Sequence, residues 1–207
     1  MAILRLDELN IRSEPFEEYF SVMGVSKAQK RLRISLAEEI MDDVLELLYS
    51  LDNSLLYGVA IGVYAKEQFV SRMLSSIASF MTLDSYIVKY VNELADDIIK
   101  TTEKNSGEDY FLSEDRARFI AENESNTVAN HGEFTTAKER GYKHKTWHSQ
   151  GDQVVRQTHK STAGERVKID DMFHVGDAEM LYPKDFVNAS DHPEETVNCR
   201  CWVTYSA

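Results

Sequence analysis

Residues 113–141 read SEDRARFIAENESNTVANHGEFTTAKERG, and at the end of this stretch the character of the sequence changes. Ser113 followed by two acidic residues is typical of a helix start, because the hydroxyl accepts a backbone N–H and the acids favour the positive end of the helix dipole. Gly141 suits the position just after a last helical turn. The sequence therefore predicts one long helix over about residues 113–140.

Upstream of this helix, the chain is predicted to be helical almost throughout. No proline occurs between Pro15 and Pro183, and apolar residues recur at helical spacing. The predicted helices span about residues 16–49, with an interruption near 23–29, and then 54–81 and 84–102. The step Thr82-Leu83-Asp84 offers an N-cap for the last of these helices.

Downstream of Gly141 the predicted segments are short, with Gly, Asp, Thr and His between them. Alternating residues in 196–206 place Cys199 and Cys201 on one face of a predicted terminal strand. Further strands are predicted at 142–149 and 166–169, and a short helix or strand at 152–160. The predicted fold class is α+β, with a helical region (a bundle or arm) over 1–112 and a compact module with a small, mainly antiparallel sheet over 113–207.

The formal net charge of −12 is concentrated in the helical part. Residues 1–140 hold 15 basic and 25 acidic side chains, a net of −10, whereas residues 141–207 hold 8 and 10, a net of −2. An acidic surface repels phosphates, which disfavours a long DNA-binding surface in the helical part. We expect any nucleic-acid contact to come from a local patch in the C-terminal part.

The compartment is suggested by two features of the sequence. No run of about 18 apolar residues occurs, and acidic residues interrupt the first 20 positions, so we expect neither a membrane helix nor a signal peptide. The only cysteines, Cys199 and Cys201, are too close in sequence to form a disulfide framework. A reducing compartment with free or metal-bound thiols fits this pattern.

Three chemical interpretations of the C-terminal residues remain open. Arg156 and His159 would share one helix face, and if that face met the cysteines, His159, Cys199 and Cys201 would lie together. Thiolates and imidazole suit Zn²⁺, the one metal these residues suggest, but structural zinc needs four ligands and C-x-C is tighter than its usual spacing. The fourth-ligand candidates are His148, His174 and Asp170.

The second interpretation is catalytic and the third is structural. In a nuclease- or transferase-like site, His159 would act as general base while Arg156 or Arg200 stabilised charge on a phosphate, although no second acid/base group can be assigned. In the structural interpretation, which we favour, the cysteines are small buried apolar residues and the arginines pair with aspartates. The aspartate candidates are Asp152, Asp170 and Asp185.

Taken in order, these segments resemble the phage head morphogenesis family of minor head proteins related to the F protein of phage Mu. The resemblance lies in short motifs whose order and spacing extend across about residues 113–203. The matching residues are Arg116, Ile120, Ala121 and Glu124; Lys145 and Trp147; Asp152, Arg156 and His159; Gly164; Phe173; Pro183 and Asp185; and Asn198, Cys199, Arg200 and Cys201.

The resemblance implies a minor capsid protein of a tailed phage or prophage, present in few copies. It implies association with the portal and with other capsid or scaffold components during procapsid assembly, and a place inside the virion after assembly in the host cytoplasm. It further implies an influence on DNA packaging or ejection. From the charge and the absence of a long apolar run, we expect any DNA contact to be independent of sequence and we expect no membrane contact. It implies no catalytic activity, but related modules joined to toxin domains leave an enzymatic role open.

Overall fold

The computed structural model describes residues 15–57 and 62–207, and it confirms the predicted fold class: a helical N-terminal region followed by a mixed region with small antiparallel sheets. The helices of the N-terminal region are α1 (described over 15–21), α2 (Lys27–Tyr57), α3 (Gly62–Ala78), α4 (Ser85–Lys104), a 3₁₀ turn (Asp109–Leu112) and α5 (Glu114–Glu139). The C-terminal region contains β1 (His144–His148), α6 (Gln157–Thr162), β2 (Arg166–Lys168), β3 (Phe173–Val175), β4 (Ala178–Met180), α7 (Pro193–Thr196) and β5 (Trp202–Ser206).

The predicted helix ends are found close to where the sequence places them. Asp84 Oδ1 accepts the backbone N–H of Ile87 at 2.9 Å, which caps α4. Ser113 Oγ accepts the N–H of Arg116 at 3.2 Å at the start of α5, and Gly141 adopts a φ of +75° after its end. These local signals act within one turn, so they can be recognised without knowledge of the tertiary structure.

The predicted helix over 54–81 differs from the structure at its start. Residues 54–57 are the last turn of α2, residues 58–61 lie outside the described part of the chain, and α3 covers 62–78. The predicted break near 23–29 is present, because α1 ends at residue 21 and α2 begins at Lys27.

Contacts within the chain divide it into two compact units, of which the first comprises residues 34–125. Its apolar core comes from one face of each helix and includes Leu36, Ile40, Met73, Ile77, Ile87 and Val91. Arg116 is buried in this unit and donates to Thr102 Oγ1 at 2.6 Å and to the carbonyl of Phe111 at 2.5 Å. Asp43, also buried, accepts from Arg72 and Ser76. No helix among residues 15–57 and 62–207 has both the length and the apolar character that a membrane crossing requires.

The second unit comprises residues 1–33 and 126–207, and the structure describes the first of these two ranges from residue 15 onward. Its main sheet has the strand order β2-β1-β5, and both pairs are antiparallel, with Lys145 opposite Val167 on one side and Tyr205 on the other. β3 and β4 form a separate hairpin, and Gly176 with a φ of +63° starts the turn between them. A glycine at the first loop position suits such a two-residue turn.

The predicted terminal strand over 196–206 is wrong in its first half. Residues Pro193–Thr196 form a helical turn, Asn198 has a φ of +56°, and β5 begins only at Trp202. A left-handed residue cannot continue an extended strand, because its backbone turns away from the ladder. Cys199 and Cys201 therefore lie in an irregular segment before the strand, and Val197 is exposed instead of sharing a buried strand face with them.

Candidate functional site

A polar face of α5 anchors the candidate site. Asn126, Asn130 and Glu133 follow one another at helical spacing, and the fully buried guanidinium of Arg33 contacts all three. Arg33 Nε donates to Asn126 Oδ1 at 2.8 Å, Nη2 donates to Asn130 Oδ1 at 2.9 Å, and Nη1 donates to Glu133 Oε1 at 2.6 Å. Charge-assisted bonds of this kind fix the orientation of both amide groups.

The two oriented amides hold the segment that carries the cysteines. Asn126 Nδ2 donates to the carbonyl of Cys199 at 3.0 Å and to that of Cys201 at 3.4 Å. Asn130 Nδ2 donates to the carbonyls of Pro183 and Cys201 at 3.1 and 3.3 Å. These buried carbonyls lack strand partners, so the side chains of α5 meet a hydrogen-bond demand that β-pairing would otherwise meet.

His159 and the two cysteines form a buried group, which we call the His–Cys cluster (His159, Cys199 and Cys201). α6 presents the imidazole so that its Nδ1 lies 3.3 Å from Cys201 Sγ and 3.4 Å from Cys199 Sγ. The three side chains are only 1–2% exposed, and all three potential ligand atoms lie within 4.8 Å of one another. Trp147 packs edge-to-face against the imidazole, with ring centroids 5.8 Å apart.

The other imidazole nitrogen is held by a carboxylate from α7. Glu195 Oε2 lies 2.9 Å from His159 Nε2 and also accepts from Thr158 Oγ1 at 2.9 Å. Because an ionised carboxylate only accepts hydrogen bonds, Nε2 carries the proton and the Nδ1 of a neutral ring presents its lone pair to the sulfurs. The fold thus brings a carboxylate to one side of the imidazole and two sulfurs to the other.

The electrostatics of the His–Cys cluster favour one thiolate. Burial opposes the charged form of Cys199, but hydrogen bonds with Cys201 and with the protonated form of His159, together with the charge of that imidazolium, outweigh it and hold the pKa of Cys199 well below its usual range. Burial likewise opposes the charged form of His159, whereas its bond to Cys199 and the charges of Cys199 and Glu195 raise its pKa. The hydrogen bond to Cys199, together with burial, raises the pKa of Cys201.

The two candidate arginines are engaged in structural contacts. Arg156 precedes α6 as its N-cap residue, so it does not share a helix face with His159 as predicted, and its Nη2 donates to the carbonyl of Val197 at 2.5 Å. Arg200 Nη2 donates to Asp152 Oδ2 at 2.8 Å. Asp152 Oδ1 in turn accepts the backbone N–H groups of residues 154 and 155, so this carboxylate links a turn to the cysteine segment.

A family model described as phage Mu protein F like protein matches residues 92–204, which is more than half of the chain. This chain belongs to the phage Mu F-like family. The family is one of phage head morphogenesis and minor capsid proteins. The match begins within α4, upstream of the motifs that carry the resemblance in the sequence. No curated protein and no solved structure matches the chain.

Other motif residues of this phage Mu F-like chain also hold the module together. Lys145 is buried, donates to the carbonyl of Leu181 at 2.7 Å, and lies 5.1 Å from the ring centroids of both Phe134 and Phe173. Burial lowers the pKa of Lys145 to about 8 despite the opposing charges of nearby aspartates. The buried carboxylate of Asp185 accepts the N–H of Leu181 at 2.9 Å and that of Asn188 at 3.3 Å, so it organises the loop on both sides of Pro183.

The structure does not bring the predicted fourth metal ligands to the His–Cys cluster. His148 stacks on Trp202 and contacts Thr204, His174 lies near Glu179 on the exposed face of the hairpin, and Asp170 pairs with Lys138 at 2.7 Å. The catalytic interpretation of His159 also loses support, because both ring nitrogens are engaged and the side chain is 2% exposed. A general base must reach the proton that it removes from a substrate.

Sequence reasoning missed four residues of the site in this phage Mu F-like protein: Arg33, Asn126, Asn130 and Glu195. The two asparagines had a usable signal, since polar residues four apart in the middle of a helix, beside buried Val128 and Ala129, suggest an internal hydrogen-bonding face. Arg33 and Glu195 had no such signal, because each looks like an ordinary charged residue of a solvated helix. Their role follows from contacts that join distant parts of the chain.

Proposed function

We propose that this protein is a minor capsid protein that is present in few copies, associates with the portal during procapsid assembly and remains in the virion. The observation that carries the proposal is family membership over residues 92–204. The contacts of the motif residues support it, because Lys145, Asp185 and Arg200 build the module instead of lining an open catalytic cleft. Such a module suits an assembly role, in which a stable surface matters more than a reactive group.

The helical part offers features that suit docking on another protein. Residues 1–140 have a net charge of −10, and within unit 34–125 the large apolar side chains of Tyr49, Val63 and Tyr64 are exposed. Exposed aromatic residues are enriched where proteins meet, because they bury much area at low entropic cost. We propose that these side chains contribute to the portal-binding surface.

Co-purification with the portal tests this proposal. The tagged full chain is co-expressed with the portal protein of the same phage or prophage, and the complex is isolated by affinity and size-exclusion chromatography. We expect the portal to co-elute with the wild type and binding to weaken at least tenfold in the variant Tyr49→Ser/Tyr64→Ser. Truncation of a hot-spot aromatic at an interface costs about 2 kcal/mol or more, which is more than tenfold in affinity.

The control is Val154→Ser, which removes an equally exposed apolar side chain in unit 1–33 and 126–207. This variant is expected to bind the portal as the wild type does. Failure of the wild type to bind its own portal, together with normal heads from a phage lacking the gene, would overturn the assembly role. Equal binding by all variants would instead remove only the proposed surface.

A cleft in unit 1–33 and 126–207 offers a location for DNA contact. This cleft of about 420 Å³ is lined by Lys138, Lys143 and Lys168, together with Asp170, which pairs with Lys138. We propose that contact with packaged DNA uses this cleft and is weak and independent of sequence, because the acidic remainder of the chain repels phosphate. Tight, salt-sensitive binding to double-stranded DNA that survives Lys143→Ala/Lys168→Ala would contradict this.

A further inference from the structure

The His–Cys cluster has the composition of a metal site. The imidazole nitrogen comes from α6 and the two sulfurs come from the segment before β5. The three side chains are only 1–2% exposed. Thiolate and imidazole ligands are the set that Zn²⁺ prefers. They are also costly to bury as separate charged groups, so an ion that neutralises them would relieve that cost.

The distances fit a single small ion. In tetrahedral coordination, Zn–S bonds of about 2.3 Å and Zn–N bonds of about 2.0 Å place nitrogen and sulfur about 3.5 Å apart. The observed Nδ1···Sγ distances are 3.3 and 3.4 Å, and the full set of ligand atoms lies within 4.8 Å. The three atoms could therefore hold an ion with shifts of only a few tenths of an ångström at the nitrogen–sulfur edges.

The surroundings also prepare the imidazole for a metal. Glu195 accepts from Nε2 at 2.9 Å, which leaves the Nδ1 lone pair directed towards the sulfurs. A carboxylate on the far nitrogen is the usual support of a metal-bound histidine, since it fixes the tautomer and increases the basicity of the ligand. The cysteine segment is fixed as well, because Asn126 holds the carbonyls of Cys199 and Cys201.

We propose that His159 Nδ1, Cys199 Sγ and Cys201 Sγ bind one Zn²⁺ ion, with Glu195 supporting the histidine. Two thiolates and a neutral imidazole balance the ion's charge, so the buried centre is neutral overall. Among the described residues no fourth side-chain ligand joins the three, and a water molecule completes the coordination. The ion would clip α6 to the segment that leads into the terminal strand, and it would stabilise the folded module because binding free energy adds to folding free energy.

Metal content is the first measurement. The full chain is purified without chelator from cells grown with added zinc, and bound metal is measured by elemental analysis. We expect about one equivalent of zinc per chain, as for a single site. The variant Cys199→Ser/Cys201→Ser should lose it, whereas His174→Ala, which removes an exposed histidine on the hairpin, should retain it.

Cobalt substitution keeps the test decisive if the cysteine variant does not fold. Wild-type protein reconstituted with Co²⁺ should show a thiolate-to-cobalt charge-transfer band and the intense visible bands of a tetrahedral site, and a chelator should lower its melting temperature. Glu195→Gln should weaken zinc affinity about 10- to 100-fold. Absence of bound metal together with absence of the cobalt bands would overturn the proposal, as would zinc that persists in the folded Cys199→Ser/Cys201→Ser variant.

Discussion

His159 and Glu195 are joined by a hydrogen bond of 2.9 Å between Nε2 and Oε2, and both side chains are nearly inaccessible to solvent. Glu195 belongs to α7 and His159 to α6, so this contact links two short helices that are separated by β2, a hairpin and a loop. The same carboxylate oxygen accepts from Thr158. A single acidic side chain therefore organises the environment of the His–Cys cluster.

Removal of this carboxylate should destabilise the protein. Glu195→Ala leaves the donors of His159 and Thr158 buried without an acceptor, which costs about 1–3 kcal/mol. Glu194→Ala is the matched control, because the neighbouring side chain on α7 is mostly exposed and pairs with half-buried His192 at 3.1 Å. Urea unfolding should give a clearly lower free energy for Glu195→Ala and a value within about 0.5 kcal/mol of wild type for Glu194→Ala. Equal stabilities of the two variants would contradict this account of Glu195.

Gly24 should not tolerate a side chain. A Cβ atom at this position would lie 2.8 Å from Cζ2 of Trp202, whose rigid indole is buried at the start of β5. Overpacking of this kind costs about 1–3 kcal/mol. Thermal unfolding should show a lower melting temperature for Gly24→Ala, whereas Gly107→Ala, with no atom within 4 Å of its added Cβ, should melt close to the wild type. A Gly24→Ala protein as stable as wild type would rule out this close contact.

Arg33 is expected to be essential for stability. Arg33→Met removes the positive charge beside Glu133 and leaves the amide oxygens of Asn126 and Asn130 without their donor. Loss of one partner of a buried ion pair costs about 3–5 kcal/mol. Arg31→Met, an exposed change in the same helix, is the control. Chemical denaturation gives the free energy of unfolding of both variants. If both lost the same small amount, the result would contradict this role of Arg33.

Lys145 should make stability rise with pH in the alkaline range. Burial lowers its pKa to about 8 in the folded protein, whereas an unfolded lysine titrates near about pH 10.4. Between these values the unfolded state binds more protons, so stability rises as pH increases, by roughly 3 kcal/mol at most; below pH 8 the cost of the buried charge is present in full.

The variant Lys145→Met should lack this rise, because it has no proton to release. Unfolding free energies measured from about pH 7 to pH 10 would show it as a difference between the slopes of wild type and variant. Lys143→Met, an exposed change two residues earlier, should retain the wild-type slope. Identical slopes for all three proteins would show that Lys145 is not the group responsible.

Much of the fold could be predicted because its signals are local. The ends of α4 and α5 follow from Asp84, Ser113 and Gly141, each of which acts on backbone groups within a few residues. The terminal strand shows the limit of such reasoning. Its alternating pattern is continuous from Val197, yet pairing with β1 starts at Trp202, because Asn198 is left-handed and Asn126 holds the carbonyls of Cys199 and Cys201.

The sequence by itself determined the helical N-terminal region, the change to short segments after Gly141, and the order of motifs that identifies the family. It also indicated that His159, Cys199 and Cys201 would form one site if the fold brought them together. Only the tertiary structure decided that they do meet, and that Glu195 and Asn126 hold them in place. The physical reason is that periodicity and caps depend on neighbours along the chain, whereas a buried polar group is satisfied by whichever distant partner the fold brings within hydrogen-bonding distance.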